Sequence, residues 1–586
     1  MEKLELSRLL KQIRRFEKEK SFKAGVKIAV LGSFSVQYFV RFLKYFLVNN
    51  GLSCDIYEGE YNSINMEILN PDSGLYRFSP DYIVLLPYYE DVKEYPALLA
   101  DDREIHEYLE NEKNYYKKLW EKLSAIPHVK ILQSNFVLPP IQSLGNLEYQ
   151  IGSSRDSYLK RLNEELIKER SPYVTIVDAD SLSCKIGKYN WFDYSSYFLN
   201  KAGVRLEYMP EYVMLFVRQI NALQGNTKKC LVLDLDNTLW GGVVGDDGWE
   251  GIQLDPNHAV GEAYRFFQKY ILSLKERGVI LAVCSKNEEL AAKEPFQKNE
   301  NMLIHLDDIS CFKANWDDKA GYLRKIAEEM NIGTDSMVFF DDNPAEREIV
   351  RTYLPEVHVV EVPTDPAMYV LQMEKESPFE WLQLTNEDLK RTDSYKENRK
   401  RKNLQAEFVD YDEYLNALEM KGSVDRLKEL DTERFVQLIN KSNQFNLRTI
   451  RYSESEIRQM KQDENCRCLS ARLMDKYSDY GLISCVILKK IEGKCFIDTW
   501  VMSCRVLKRG VESMMFEAIC RTAHEMNCTE ITAEYRQTKK NAMVKDFYES
   551  LNFKVNKSYE TPQGVVKEYS CDCLEYTQKY FIKEEL

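Results

Sequence analysis

The stretch KKCLVLDLDNTLW (228–240) constrains this chain more than any other. Its apolar run reads as a strand, and the strand ends in two carboxylates at i and i+2, Asp234 and Asp236. Carboxylates so placed can share one site, where one attacks phosphorus or binds a metal and the other handles a proton. Open α/β sheets carry their ligands at strand C-termini, so the position fits as well as the chemistry. Three matched groups follow in order: Ser285 at the end of GVILAVCS, Lys319 in NWDDKAGYLRKIA, and Asp341-Asp342 after SMVFF. The successive steps from Asp234 are 51, 34 and 22 residues, each with room for strand and helix units. An anionic nucleophile attacking an anionic phosphate needs a divalent cation and an ammonium to offset the repulsion. Taken alone, Asp341-Asp342-Asn343-Pro344 would be a good turn. The ordered set is what points to phosphate chemistry.

With 586 residues, the chain has a prior of roughly four domains at about 150 residues each. Apolar residues at 44% and aromatics at 12% supply real cores and exclude a disordered protein. A net charge of −13 argues against nucleic acid or an anionic membrane as the general partner. No apolar run approaches the ~18 residues of a membrane span, and the charged N-terminus lacks a signal-peptide core, so a cytoplasmic protein is expected. The 14 cysteines form no CxxC pair, only CxC at Cys466/Cys468 and Cys571/Cys573. Neither a zinc site nor a disulfide framework is indicated.

Strand-like runs at VKIAVLG, LSCDIY, DYIVLL, HVKIL and YVTIVDAD alternate with helical patterns and predict a parallel α/β domain over 1–225. A second α/β domain, 226–365, holds the phosphate motifs. Residues 366–428 read as a charged helical linker, and 429–586 as a mixed α+β domain. Between Asp236 and Ser285 there is room for a hairpin flap over Trp240–Ile252 and one helix, not for a full cap domain. An uncapped site can admit a bulky or protein-borne substrate.

The motifs resemble those of the haloacid dehalogenase (HAD) superfamily: DxDxT, a Ser or Thr after a strand, a Lys, and a final acidic pair. LDLDNTLWGGVVGDDGWEGI, AVCSKN, NWDDKA, FFDDNPAERE and NKSNQFNLRT together look like its FkbH-like branch. The resemblance implies Asp234 as nucleophile and Asp236 as general acid/base. Thr238, Ser285 and Lys319 would hold phosphate, with Asp341 orienting Lys319. Mg2+ would lie among Asp234, the Asp236 carbonyl and the pair Asp341/Asp342, with Asp342 preferred. It further implies dephosphorylation of a phosphorylated acyl donor such as 1,3-bisphosphoglycerate and loading of the glyceryl group on the phosphopantetheine thiol of an acyl carrier protein. Alternatives are a HAD phosphatase without acyl transfer and a non-catalytic assembly scaffold.

Acyl transfer through a thioester would need a reactive thiol, and Cys284 directly precedes Ser285; its place at the end of an apolar strand equally fits a buried structural thiol. LGSFS (31–35) and the following helix resemble a flavodoxin-like SGNH hydrolase domain. With only His106 and His128 available there, a Ser-His-Asp site cannot be assembled in the usual order, and a structural or carrier-docking role is expected. DTWVMSCRVLKRGVE and NAMVKDFYESLNF resemble a GNAT acetyltransferase domain. That likeness implies phosphopantetheine or acyl-CoA contacts from Arg505, Arg509, Gly510, Asn541 and Tyr548, although Lys508 replaces the first glycine of the turn and Tyr548 also fits a core aromatic. Carrier proteins are usually acidic, so Lys396 with Arg399–Lys402 is the first basic surface to consider for docking.

Overall fold

A computed structural model describes residues 3–18, 25–389, 397, 401, 404, 405, 407–442, 444–538, 540–561, 564–572 and 581–584. The chain divides into two units, residues 1–221 with 452–459, and residues 222–451 with 460–586. Among the described residues no helix is long and apolar enough to cross a membrane.

In the first unit, β1 (Val26–Gly32), β2 (Cys54–Glu58), β3 (Tyr82–Leu86), β4 (Lys130–Ser134) and β5 (Val174–Val177) pair in parallel, in the order β2-β1-β3-β4-β5. This is the flavodoxin order. The YIVLL run of β3 is buried along its whole length, as expected of a strand covered on both faces. Helix Asp102–Leu123 turns Ile105, Leu109, Tyr116, Leu119 and Trp120 inward at helical spacing, and Asp101 caps it by accepting the Glu104 N–H at 2.8 Å. At the C-terminal edge of the sheet, the Ser33 hydroxyl donates to Asp91 at 2.5 Å. The two histidines are engaged elsewhere: His106 faces Glu110, and His128 pairs with Glu456.

The second unit contains two sheets. β6 (Cys230–Leu233), β7 (Ile280–Ser285), β8 (Ile309–Ala314), β9 (Met337–Phe340) and β10 (His358–Val359) form a parallel sheet in the order β10-β9-β6-β7-β8. Successive residues alternate between its faces. Leu231, Leu233, Leu281, Val283, Val338 and Phe340 join the core under helix Ala259–Glu276. Cys230, Val232, Ile280, Ala282 and Phe339 join the core under helix Lys319–Met330. Tyr369, Val370, Met373 and Phe379 complete the first of these cores, and Trp381 donates to the Lys228 carbonyl at 3.0 Å, so part of the stretch read as a linker belongs to this layer.

The last sheet comprises β11 (Met420–Arg426), β12 (Cys466–Met474), β13 (Asp479–Ile491), β14 (Lys494–Met502), β15 (Glu530–Arg536), β16 (Lys554–Thr561), β17 (Gly564–Asp572) and β18 (Ile582–Glu584). Its order is β16-β17-β15-β14-β13-β12-β11-β18. The central pairs are antiparallel except β14 with β15. A parallel pair needs a crossover, here helix Val511–Glu525. This is the α+β, GNAT-like arrangement that the sequence predicts. Its first strand, β11, falls inside the stretch read as a linker, and Tyr414, Leu415, Leu418 and Met420 are part of its core.

Of the basic cluster considered for docking, Lys396, Arg399, Lys400 and Lys402 lie outside the described residues. Arg401 is corrected by the structure. It is 1% exposed and gives Asp475 two hydrogen bonds, from Nε at 2.7 Å and Nη2 at 2.9 Å, so it cannot meet a partner. Removing one member of a buried pair costs about 3–5 kcal/mol where the charge left behind is uncompensated, and Arg509, 3.5 Å from Asp475, keeps the cost here at the lower end of that range. Arg401→Ala is therefore expected to destabilise the C-terminal domain by about 3 kcal/mol in denaturant unfolding. Arg401→Lys should recover only part of that, because an ammonium cannot reproduce the two-pronged contact.

Candidate active site

The chain order 230, 280, 309, 337 of the strands puts β6 at the centre of its sheet, with β9 on one side and β7 on the other. The chain leaves β6 toward β7 but returns to β9, so the sheet's topological switch lies between β6 and β9, where open α/β sheets bind ligands. Asp234 follows β6 and donates its backbone N–H to the Phe340 carbonyl at 3.0 Å. Asp341 follows β9, and Ser285 ends β7. The ladder thus brings together three groups far apart in sequence.

Lys319 ties them. Its ammonium is 2.8 Å from Asp234 and 2.5 Å from Asp341, with the side chains nearly fully buried. It occupies the first position of helix Lys319–Met330, where the helix dipole disfavours a cation. Burial would also lower its pKa, but the two carboxylates outweigh both effects and hold it above the ordinary lysine value. Asp342 completes the group. Carboxylate oxygens of Asp234, Asp341 and Asp342 lie within 4.8 Å of one another. At that separation and an effective dielectric near 20, each like-charged pair repels by about 3 kcal/mol. Burial first, then the charge of Asp234, raises the Asp341 carboxyl and pushes Asp342 up to about 6. Three carboxylates facing one ammonium form an acceptor set short of positive charge, composed of the hard oxygen ligands that Mg2+ prefers.

Asp236 stands outside this cluster. Its Oδ1 accepts from the Val244 N–H and the Trp240 indole, each at 2.9 Å, and its Oδ2 accepts from Asn287 Nδ2 at 2.8 Å. Its carboxylate is therefore held by the flap and by β7's exit loop, so a metal role for Asp236 falls to its backbone carbonyl alone. The intervening Asn237 adopts a left-handed conformation (φ 52°), which Asn tolerates better than most residues, and its Oδ1 accepts the Gly242 N–H at 3.0 Å. Thr238 is fully buried, and its hydroxyl accepts the Asp342 N–H at 3.3 Å. The structure thus makes Thr238 a brace between the two acidic loops, not a phosphate contact. Ser285 Oγ receives Asn287 Nδ2 at 3.2 Å.

Two contributors were not assigned from sequence. Asn287 bridges Asp236 and Ser285, and its signal was its place in the VCSKN string. Arg347 donates to the carbonyls of Asp341 and Asp342, both at 2.8 Å, holding the acidic turn from below. Only its position one helical turn beyond the Asn343-Pro344 cap hinted at it.

Cys284 is corrected. The thiol is 1% exposed and belongs to the apolar core beneath helix Lys319–Met330. Burial pushes its pKa far up despite Lys319, the reverse of what a nucleophilic thiolate requires.

The C-terminal residues are also placed differently from expectation. Asn541 is buried: Nδ2 donates to the Asn446 and Arg536 carbonyls at 2.9 and 2.8 Å, and Oδ1 accepts the Thr538 N–H at 2.7 Å, so it staples loops. Tyr548 is a core aromatic among Trp500, Phe553 and Tyr569. Arg509 turns inward onto Tyr480 and Asp475, while Arg505 Nε reaches Ser503 Oγ at 3.3 Å. Lys508 (φ 61°) and Gly510 (φ 87°) do form a turn of the anion-binding kind at the start of helix Val511–Glu525. The chain's own Glu512 carboxylate fills it, accepting the backbone N–H of Lys508 at 2.8 Å and those of Gly510 and Glu512.

The FkbH, N-terminal domain family matches residues 27–220. Among curated proteins none matches. Among solved structures, the N-terminal part of the protein BF1531 from Bacteroides fragilis, containing a phosphatase domain complexed with Mg, is 36% identical. That match covers 64% of this chain and 99% of that one, with a TM-score of 0.58. Matches at 26% coverage of this chain include the ribosomal-protein-S18-alanine N-acetyltransferase from Escherichia coli (13% identity, 94% of that chain, TM-score 0.21). A GNAT-family acetyltransferase from Streptococcus pneumoniae is similar at 12% identity, with 26% of this chain and 99% of that chain covered and a TM-score of 0.22. Since more than a third of aligned residues are identical over essentially the whole Bacteroides structure, and the FkbH family matches the first sheet, the chain belongs to the FkbH-like family of the haloacid dehalogenase superfamily.

Proposed function

We propose that this chain is a Mg2+-dependent phosphatase acting on a phosphorylated acyl compound, and that it serves the loading of a glyceryl group from a 1,3-bisphosphoglycerate-like donor on an acyl carrier protein. The observation carrying the first part is the buried Asp234–Lys319–Asp341 bridge with Asp342 beside it. The second part rests on family likeness and on the absence of a full cap between Trp240 and the helix at Ala259.

In this mechanism Asp234 attacks phosphorus, the bond from phosphorus to the leaving oxygen breaks, and Asp236 gives that oxygen its proton. Water, deprotonated by Asp236, then attacks the aspartyl phosphate, releasing inorganic phosphate and restoring Asp234. Ser285 and Lys319 hold the phosphoryl oxygens, and Asn287 keeps Asp236 and Ser285 in fixed relation. Mg2+, assigned to Asp234, Asp342 and the Asp236 carbonyl, would supply Lewis-acid stabilisation of the charge on the phosphoryl group. Asp341 remains with Lys319. Because Cys284 is buried, acyl transfer in this reading passes directly to the carrier thiol: its sulfur bonds to the acyl carbon, the bond from that carbon to the C1 phosphate oxygen breaks, inorganic phosphate leaves with the thiol proton, and the Asp234 step acts on the remaining phosphate ester.

Asp234→Asn is expected to lower phosphate release by at least ~10³-fold, and Mg2+ should raise the melting temperature of the wild type more than that of the variant. Normal turnover by Asp234→Asn would remove the nucleophile assignment. Cys284→Ala should keep both phosphate release and carrier loading, read by intact-protein mass; selective loss of loading would restore a thiol role. CoA should leave the melting temperature of the wild type unchanged, because Glu512 fills the turn, whereas Glu512→Ala should gain a CoA-dependent shift. A shift already present in the wild type would show that Glu512 yields to the cofactor.

A further inference from the structure

Trp316 is 76% exposed, while every other tryptophan of the chain is more covered. Its setting is not that of a loose surface residue. It lies on the loop that leaves β8, between Ser285 and Lys319, the two groups assigned to the phosphoryl oxygens. The backbone is fixed on both sides. Asn315 donates its N–H to the Ser285 carbonyl at 3.2 Å, and its own Oδ1 accepts the Asp317 N–H at 2.8 Å. Asp317 accepts from the Tyr322 hydroxyl at 2.9 Å, and Asp318 caps the Lys319 helix by accepting the Gly321 N–H at 2.6 Å. A hydrogen-bonded loop, tied to the Ser285 carbonyl at one end and leading into Lys319 at the other, therefore presents a large flat apolar face to solvent, with a carboxylate at each of the next two positions.

Those features select. An indole face rewards an uncharged chain laid across it, and desolvating apolar surface there favours such a chain over water. Two exposed carboxylates beside it, faced by the Lys325 ammonium at 3.7 Å from Asp317, leave the loop net negative, which repels a second anionic group on the substrate. Building on the phosphatase reading, we propose that Trp316 is a specificity-determining residue that favours phosphate monoesters whose remainder is an uncharged, extended chain over those carrying a second anion.

The test uses two probes sharing one phosphate ester: 3-phosphoglycerate, with its free carboxylate, and its neutral thioester with N-acetylcysteamine. Phosphate release is measured with the full chain and Mg2+. Wild type is expected to favour the thioester at least tenfold in kcat/KM, through KM. Trp316→Ala should reduce that ratio about tenfold, and Trp316→Phe, which keeps an aromatic face, should retain most of it. Equal kcat/KM for the two probes in wild type, or a ratio unchanged in Trp316→Ala, overturns the assignment while leaving the phosphatase reading intact. Release from neither probe, with wild type and Asp234→Asn alike, overturns that underlying reading as well.

Discussion

The ammonium of Lys319 between Asp234 and Asp341 is the contact on which the catalytic layer depends. It joins the ends of two neighbouring strands to the start of the helix that packs over residues of β6, β7 and β9. Buried ion pairs are poor devices for stability, since desolvation consumes most of the attraction. This one also sets a cation against a helix dipole and leaves a third carboxylate, Asp342, without its own counter-charge. A chain selected only for stability would replace such a cluster with apolar side chains. Such a cluster makes sense in the proposed reaction, where a divalent cation would fill the charge deficit and so let an anionic phosphoryl group approach.

The flap answers a different problem. In the proposed reaction Asp236 alternates between giving and taking a proton, which calls for a fixed position that does not depend on a charged partner. It is held by three neutral donors, the Val244 N–H, the Trp240 indole and the Asn287 amide. Two of these belong to the segment that takes the place of a cap domain. The short insertion therefore supports the residue proposed as acid/base.

Much of this was legible in sequence, and the failures have a common physical form. Continuous apolar runs located the parallel strands, because strands buried on both faces leave little room for polar residues. The DxD, Ser, Lys and DD signals located groups that the structure gathers at one end of the sheet, because their chemistry restricts both residue type and order. Cys284 misled because adjacency along a strand is opposition in space: Ser285 reaches the site at the strand's end, while its neighbour points to the far core. Asn541 and Tyr548 misled for a related reason, since fold likeness fixes the path of the backbone while side chains are free to be recruited as staples or core. Arg347 and Asn287 were silent because their partners are carbonyls or amides from other segments, and such pairings leave no pattern in a single sequence.

The C-terminal domain sharpens what the acyl acceptor must be. An acetyltransferase-like fold invites the expectation that acyl groups arrive on CoA held at the turn before helix Val511–Glu525. Here the turn keeps its left-handed residues, yet Glu512 occupies its N–H groups, and Arg509 is committed to Tyr480 and Asp475. An anion entering from solvent would have to displace a carboxylate that is already desolvated and hydrogen-bonded. With that turn closed and Cys284 buried, the acyl acceptor in the proposed reaction is best supplied by a partner's thiol at the open mouth of the HAD site.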